Sequence, residues 1–560
     1  MSESSLPAPA MTRLLSVFRT ARGEAWLRAA GVVLFLALTL LIFYRVPISN
    51  RFSGLWGDRF DGGIEASILE HWYNVLRGRS WFSQTNYFYP NPGTLGYNDG
   101  FFLYGLIHSI FRAFRVDIFL SSALVDMVVK SIGFVFFYLF VRRAFAARAL
   151  PALLGATVFS LCHALFIHAF HQQLLSVSFA PVMGYLLLRA REALSAGWGR
   201  GYAAFGCGAA ALYSAWLLTA FYMSWFFGFF ALCCALAMLL IEGQGPYRRL
   251  LAEAWRFRWH SLLIVAVFVV TLLPFLSVYL PKASETGMHG WRDALAFSPR
   301  LSDAINLGPG NLLFGGMYEQ LCRSCTKGNY ELLMGMPPIL VYLFVCAAAW
   351  ALWKYRGEHA GLLRAVAAAA VVTWLMLFRF KFGSGWELVF NYVPGAKGLR
   401  VVSRYQIFLA FPVAVVVTLF LQRAMTRVPS IFVLLGVLLV VEQVGTSPGV
   451  NSRAEELARI AAPRPPAECR AFYVTKARGQ DSGSDLMKRY PHNVEAMLIA
   501  ELRSIPTING YSTFNPPGWD FEDPLRPDYL DRVRAYAQAR GIQGLCQLDL
   551  ETLQWSPAGF

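Results

Sequence analysis

Charge is what this chain has least of. Asp, Glu, Lys and Arg make up 15% of it against 56% hydrophobic residues, where soluble domains carry about a quarter charged. An ordinary water-soluble enzyme is excluded. The sequence has no Gly-x-x-x-x-Gly-Lys-[Ser/Thr] loop and no Gly-x-Ser-x-Gly elbow, which removes the familiar phosphate cradle and the hydrolase nucleophile turn. It has no low-complexity tract and no internal repeat, the feature many transporters carry. Cysteine is sparse, nine in 560 residues. Cys162, Cys207, Cys233, Cys234 and Cys346 lie in apolar runs and read as small packing groups. Cys322-Arg-Ser-Cys325 lacks the second ligand pair of a zinc site. A disulfide is the expectation there, given an oxidising compartment. Cys469 and Cys546 are the other candidate pair.

Apolar blocks, by contrast, are abundant. Runs at 31–46, 120–141, 150–170, 174–188, 202–220, 222–241, 262–280, 333–353, 362–378, 404–421 and 431–444 predict about eleven transmembrane helices, each near the ~20 residues a bilayer needs. The first follows a basic N-terminus but has no small-residue cleavage site, so it reads as a span and not a removable signal. The net charge of +16 is not spread evenly. Alternate loops collect Arg13, Arg19, Arg142, Arg143, Arg189, Arg191, Arg248, Arg249, Arg423 and Arg427 with few acids. The positive-inside rule makes those loops cytoplasmic. The charge therefore reports topology and does not call for nucleic acid. The N-terminus is expected inside and the C-terminus outside.

The expected fold is mainly α, a polytopic membrane helix bundle with a small extracytoplasmic α/β domain at the C-terminus. Residues 1–30 form a cytoplasmic segment and 31–446 the membrane domain, with large outer loops at 47–119 and 281–331. The tail 447–560 changes composition and should hold strands at 470–475 and 544–550 and helices at 493–503 and 529–540. The apolar stretch 101–114 is short and punctuated by His108. It reads as a helix lying in the outer interface.

Ionisable groups beside a membrane are costly without a task. Asp58 and Asp61 follow the first span, with Glu65, Glu70 and His71 close behind. If a helix starts near Gly63, these acids should share one side. They can then bind a divalent cation through oxygens or act as a general base. The bland reading is a set of solvated capping acids. Tyr87-Phe88-Tyr89-Pro90 and Asn98-Asp99-Gly100 form turns, the first either scaffold or the lining of a lipid groove. Lys397, Arg400 and Arg404 sit at the outer mouth of a span, where Arg can hold phosphate bidentately. Asp126 and Lys130, four apart inside a span, are expected to pair with each other. His163, His168 and His171 cluster at one helix end and read as hydrogen-bonding rings before a metal site.

One span, a long acidic outer loop, an interfacial helix and a second span ending in Arg142-Arg143 together resemble the GT-C superfamily of membrane glycosyltransferases. The stretch from Val393-Pro394-Gly395 to Ser403-Arg404, and His168-Ala-Phe-His171-Gln172-Gln173, are similar to segments of bacterial relatives of that group. The resemblance covers residues 25–450 or so. It implies a lipid-linked sugar donor of polyprenyl-phosphate type, handled on the outer face of the bacterial inner membrane. The acceptor would be an envelope glycan, lipid or protein. It implies Asp61 as the catalytic or cation-holding acid with Asp58 second, and Glu65 as a further cation candidate. Glu70, His71, Asp99, Lys397, Arg400 and Arg404 would bind substrate. The chain departs from the better-known families in lacking an adjacent acidic pair in its first outer loop, which leaves the metal open. A non-catalytic transporter or flippase of a lipid-linked glycan is the competing class.

Overall fold

The computed structural model describes residues 21–446, 451–478 and 485–558; Arg13 and Arg19 lie outside them. Among the described residues nine helices are long and apolar enough to cross a bilayer, from Glu24–Phe43 to Val402–Arg427. The eighth and eleventh expected spans, Pro338–Lys354 and Pro429–Gln443, are apolar but shorter. Each begins with proline, whose fixed φ and missing N–H set a helix start. The protein is a multi-helix membrane protein.

Burial separates the helices by role. Ala149–Ile167 and Val402–Arg427 are the central ones, with 94% and 78% of their apolar windows buried, whereas Arg258–Thr286 has 6% and shows nearly all its surface outward. The expected span 150–170 is broken. Ala149–Leu161 ends at Cys162 and a short helix, His163–Ile167, restarts at an angle. That break delivers His168 and His171 to the end of the bundle that carries Asp61. The 101–114 stretch forms Phe102–Ala113, which is not among the nine. Its buried side sets Gly105 against the Trp72 ring, while Ile110 and Phe114 stay exposed.

Asp126 and Lys130 do not pair as expected. Trp56 Nε1 donates to Asp126 Oδ2 at 2.7 Å. Lys130 Nζ donates to the Ser160 carbonyl at 2.6 Å and lies 3.5 Å from the Phe43 ring centroid. Asp126 found a nearer partner in the first long loop and Lys130 one on a neighbouring helix, where the break at Cys162 leaves a carbonyl free to accept.

The tail is stitched to the long loop that follows the first span. Its parallel strands Ala471–Val474 and Leu545–Leu548 pair Phe472 with Cys546, and Trp555–Pro557 adds an antiparallel third strand that the sequence did not announce. Helices Asp485–Arg503 and Tyr529–Arg540 flank them. Phe88 N donates to the Asn509 carbonyl at 3.0 Å and Tyr89 N to that of Thr507 at 2.9 Å. Phe88 packs edge-on against Trp519. The Tyr87–Phe88–Tyr89 turn is therefore a docking element for the tail and does not line a lipid groove. Glu501 is fully buried and takes hydrogen bonds from Asn74 and Asn86.

Cys469 bridges to Cys546, with Cα atoms 5.5 Å apart, and Cys322 to Cys325. In native membranes both tail cysteines should resist alkylation until reductant is added. Free labelling of the pair before reduction would contradict the bridge.

Candidate functional site

The site starts with a tight helix entry. Asp58 Oδ1 accepts from the backbone N–H of Phe60 at 3.0 Å and of Gly62 at 2.9 Å, satisfying a donor that a helix start leaves unpaired. The helix Asp61–Leu76 then begins with Asp61. Burial and the adjacent Asp61 carboxylate push Asp58 up to about 6.

Three further elements converge on Asp61. From just after the broken third span, His171 Nδ1 lies 3.5 Å from Asp61 Oδ2. From the end of the second outer loop, Glu331 Oε1 lies 3.3 Å from His171 Nε2. From the start of Val402–Arg427, Arg404 Nη2 meets Glu331 Oε1 at 2.7 Å and His171 Nε2 at 3.2 Å. Arg404 has donors only. His171 Nε2 can therefore accept from it, and Nδ1 faces Asp61 Oδ2 without a hydrogen bond among the described residues. Burial alone would raise the Glu331 carboxyl, but the Arg404 charge, with His171, holds it far below the usual carboxylate range.

His168, Tyr330 and Phe170 close one side. The imidazoles of His168 and His171 lie nearly parallel at 6.1 Å, and the Tyr330 ring meets His168 at 4.7 Å. Burial lowers His168 to about 3, so its ring is neutral. His168, His171 and Glu331 offer ligand atoms within 4.8 Å of one another. The Nδ1 atoms of both histidines are buried without a hydrogen-bond partner among the described residues. Two neutral imidazoles with carboxylates suit a divalent cation of the zinc or manganese kind.

The expected shared face holds for Asp61 and Glu65 but does not take in Glu70 and His71. At 100° per residue, Glu70 falls about half a turn away from Asp61. Glu70 instead takes a bidentate bond from Arg112 and faces His108 at 3.2 Å. His71 Nε2 meets the Phe82 carbonyl at 3.1 Å. Glu65 does stay on the Asp61 side, buried, with both oxygens accepting from Gln172 N; burial and the Asp61 charge raise it. Asp99 accepts from Phe221 N at 3.0 Å and so caps the helix Phe221–Glu242. Glu70, His71 and Asp99 each have a partner within the protein.

The two arginines also separate. Arg404 is buried and committed to Glu331. Arg400 is part-exposed over the Phe297 ring, and no carboxylate among the described residues pairs with it. Tyr222 fixes both: its hydroxyl accepts from Arg400 N at 2.8 Å and its ring lies under the Arg404 guanidinium at 5.2 Å. Gly395, at φ 83°, turns the loop so that Pro394 O receives Trp225 Nε1 at 2.9 Å. Lys397 is exposed and its carbonyl accepts from His289 N. Sequence reasoning missed Glu331 and Tyr490, whose hydroxyl donates to Asp61 Oδ1.

Transfer should fall as pH drops through about 6, where Asp58 gains its proton and weakens its cap. Stability has the opposite sign. The folded group keeps its proton to about 6 and a free Asp only to 3.8, so this contribution favours the fold at low pH and is lost as pH rises. In Asp58→Asn the acid limb near 6 should disappear, because the group that gains the proton is gone. An unmoved limb in a pH–rate series would rule Asp58 out as its source.

No family model and no curated protein matches this chain. Among solved structures, one match is the crystal structure of the Archaeoglobus fulgidus oligosaccharyltransferase in complex with Zn and sulfate. It aligns over 92% of this chain and 67% of that one, with a TM-score of 0.48 and 12% identity.

Proposed function

We propose that this protein is a membrane glycosyltransferase of GT-C type. It moves a sugar from a polyprenyl-phosphate-type carrier to an envelope acceptor on the outer face of the inner membrane. The carrying observation is the linked set Asp61–His171–Glu331–Arg404, assembled from a first-loop acid, a broken helix, a second-loop acid and a span mouth.

Asp61 accepts the proton of the acceptor hydroxyl or helps hold a cation. His171 lies against it, with Glu331 beyond. Arg400, unpaired at the mouth, holds the donor phosphate, and Lys397 adds positive charge nearby. Arg404 is the internal counter-ion of Glu331 and builds the site. His168, His171 and Glu331, with Asp61, are the residues that would hold a divalent cation. Such an ion, when bound, offsets negative charge on the leaving phosphate.

Topology is part of the reading. The N-terminus is cytoplasmic and the site and tail face outward. A reporter fused after Phe560 should be active only outside the cytoplasm; activity inside would place Asp61 on the wrong face and reject the proposal.

A further inference from the structure

We infer that Tyr490 is a positioning residue for Asp61, so that the C-terminal segment completes the active site. The inference rests on the function proposed above and adds a residue from a part of the chain that carries no motif.

The contact is built from both sides. Tyr490 hydrogen-bonds Asp61 Oδ1, which leaves Oδ2 turned toward His171 at 3.5 Å. One donor on one oxygen fixes the carboxylate and reserves the other oxygen for chemistry. Tyr490 is itself buried, with Tyr511 at 3.9 Å and the Phe60 ring edge-on at 5.4 Å. Burial and the Asp61 charge keep its phenol protonated and therefore a donor.

The helix behind it is held in register. Asp485–Arg503 lies along Asp61–Leu76, with Tyr490 at Asp61, Val494 at Gly63 and Glu501 at Asn74. A Cβ on Gly63 would stand 2.5 Å from Val494 Cγ1, so glycine is what allows this approach. The clamp at Glu501 and the contact at Tyr490 lie about 16 Å apart along the helix at 1.5 Å per residue. Between them they allow little sliding. Tyr490 is not a plug, because the Asp61 side chain remains 37% exposed with the tyrosine in place. An acceptor can reach the carboxylate without displacing it.

The test uses the full-length protein in lipid nanodiscs with 3-fluorotyrosine at position 490. The fluorine resonance should shift in Asp61→Asn, which removes the charge that the phenol donates to, and stay in place in the control Arg400→Ala. A resonance that Asp61→Asn leaves unmoved overturns the inference. In parallel, transfer from a radiolabelled polyprenyl-phosphate hexose is followed with envelope membranes as acceptor. Tyr490→Phe should lower turnover about 10-fold and leave donor KM unchanged. In the Asp61→Asn background it should add nothing, as coupled residues behave. Wild-type turnover in Tyr490→Phe, or a gain in turnover, overturns the inference alone while Asp61→Asn stays inactive. Full activity in Asp61→Asn sinks the function reading, and the inference with it.

Discussion

Asp61→Asn should reduce transfer about 10²-fold or more, the range lost when a general acid–base group is removed. The substitution keeps size and removes the charge. Folding and insertion should be unaffected, because the side chain is over one-third exposed and structural hydrogen bonds at the helix entry go to Asp58. Asp58→Asn should be milder in the same assay. It loses the strength of a helix cap, about 1 kcal/mol, and keeps Asp61 in place. Equal loss in both variants would mean that Asp58, not Asp61, carries the chemistry.

Arg404→Ala should have the largest effect on stability. It leaves Glu331 buried beside His171 without its cation, and breaking a buried pair costs about 3–5 kcal/mol. The variant should show a markedly lower thermal midpoint in detergent and poor yield. Glu331→Ala in the Arg404→Ala background should recover part of the midpoint, since no orphaned charge remains. Arg400→Ala is the contrast. No carboxylate among the described residues pairs with Arg400, so its removal should leave the midpoint unchanged and raise donor KM, with little change in kcat. A normal midpoint for Arg404→Ala would remove its assigned role.

How far the sequence reached follows from which interactions are local. Span positions were legible because a bilayer demands long apolar runs, and the helix 529–540 and the strands near 471 and 545 were legible from local pattern. Asp61 stood out through its place after the first span. The shared acidic face failed for Glu70 on helical arithmetic: it sits opposite Asp61 and serves Arg112, 42 residues away. The Asp126–Lys130 pair failed because tertiary partners outbid a local spacing. Glu331 and Tyr490 left no signal, since their partners are 73 residues and 429 residues distant. The two histidines gave a hint in their spacing, but nothing in the sequence said that a helix break at Cys162 would aim them at Asp61.

The central claim is that the outer-facing set around Asp61 breaks a sugar–phosphate bond. The most direct measurement uses purified protein in sealed vesicles loaded with a radiolabelled polyprenyl-phosphate hexose, with envelope acceptor added on the face that carries the tail. Label should leave the lipid and enter the acceptor, at a rate that Asp61→Asn removes. Label that crosses the bilayer still attached to its lipid, with none transferred, would contradict the account and put the flippase reading in its place.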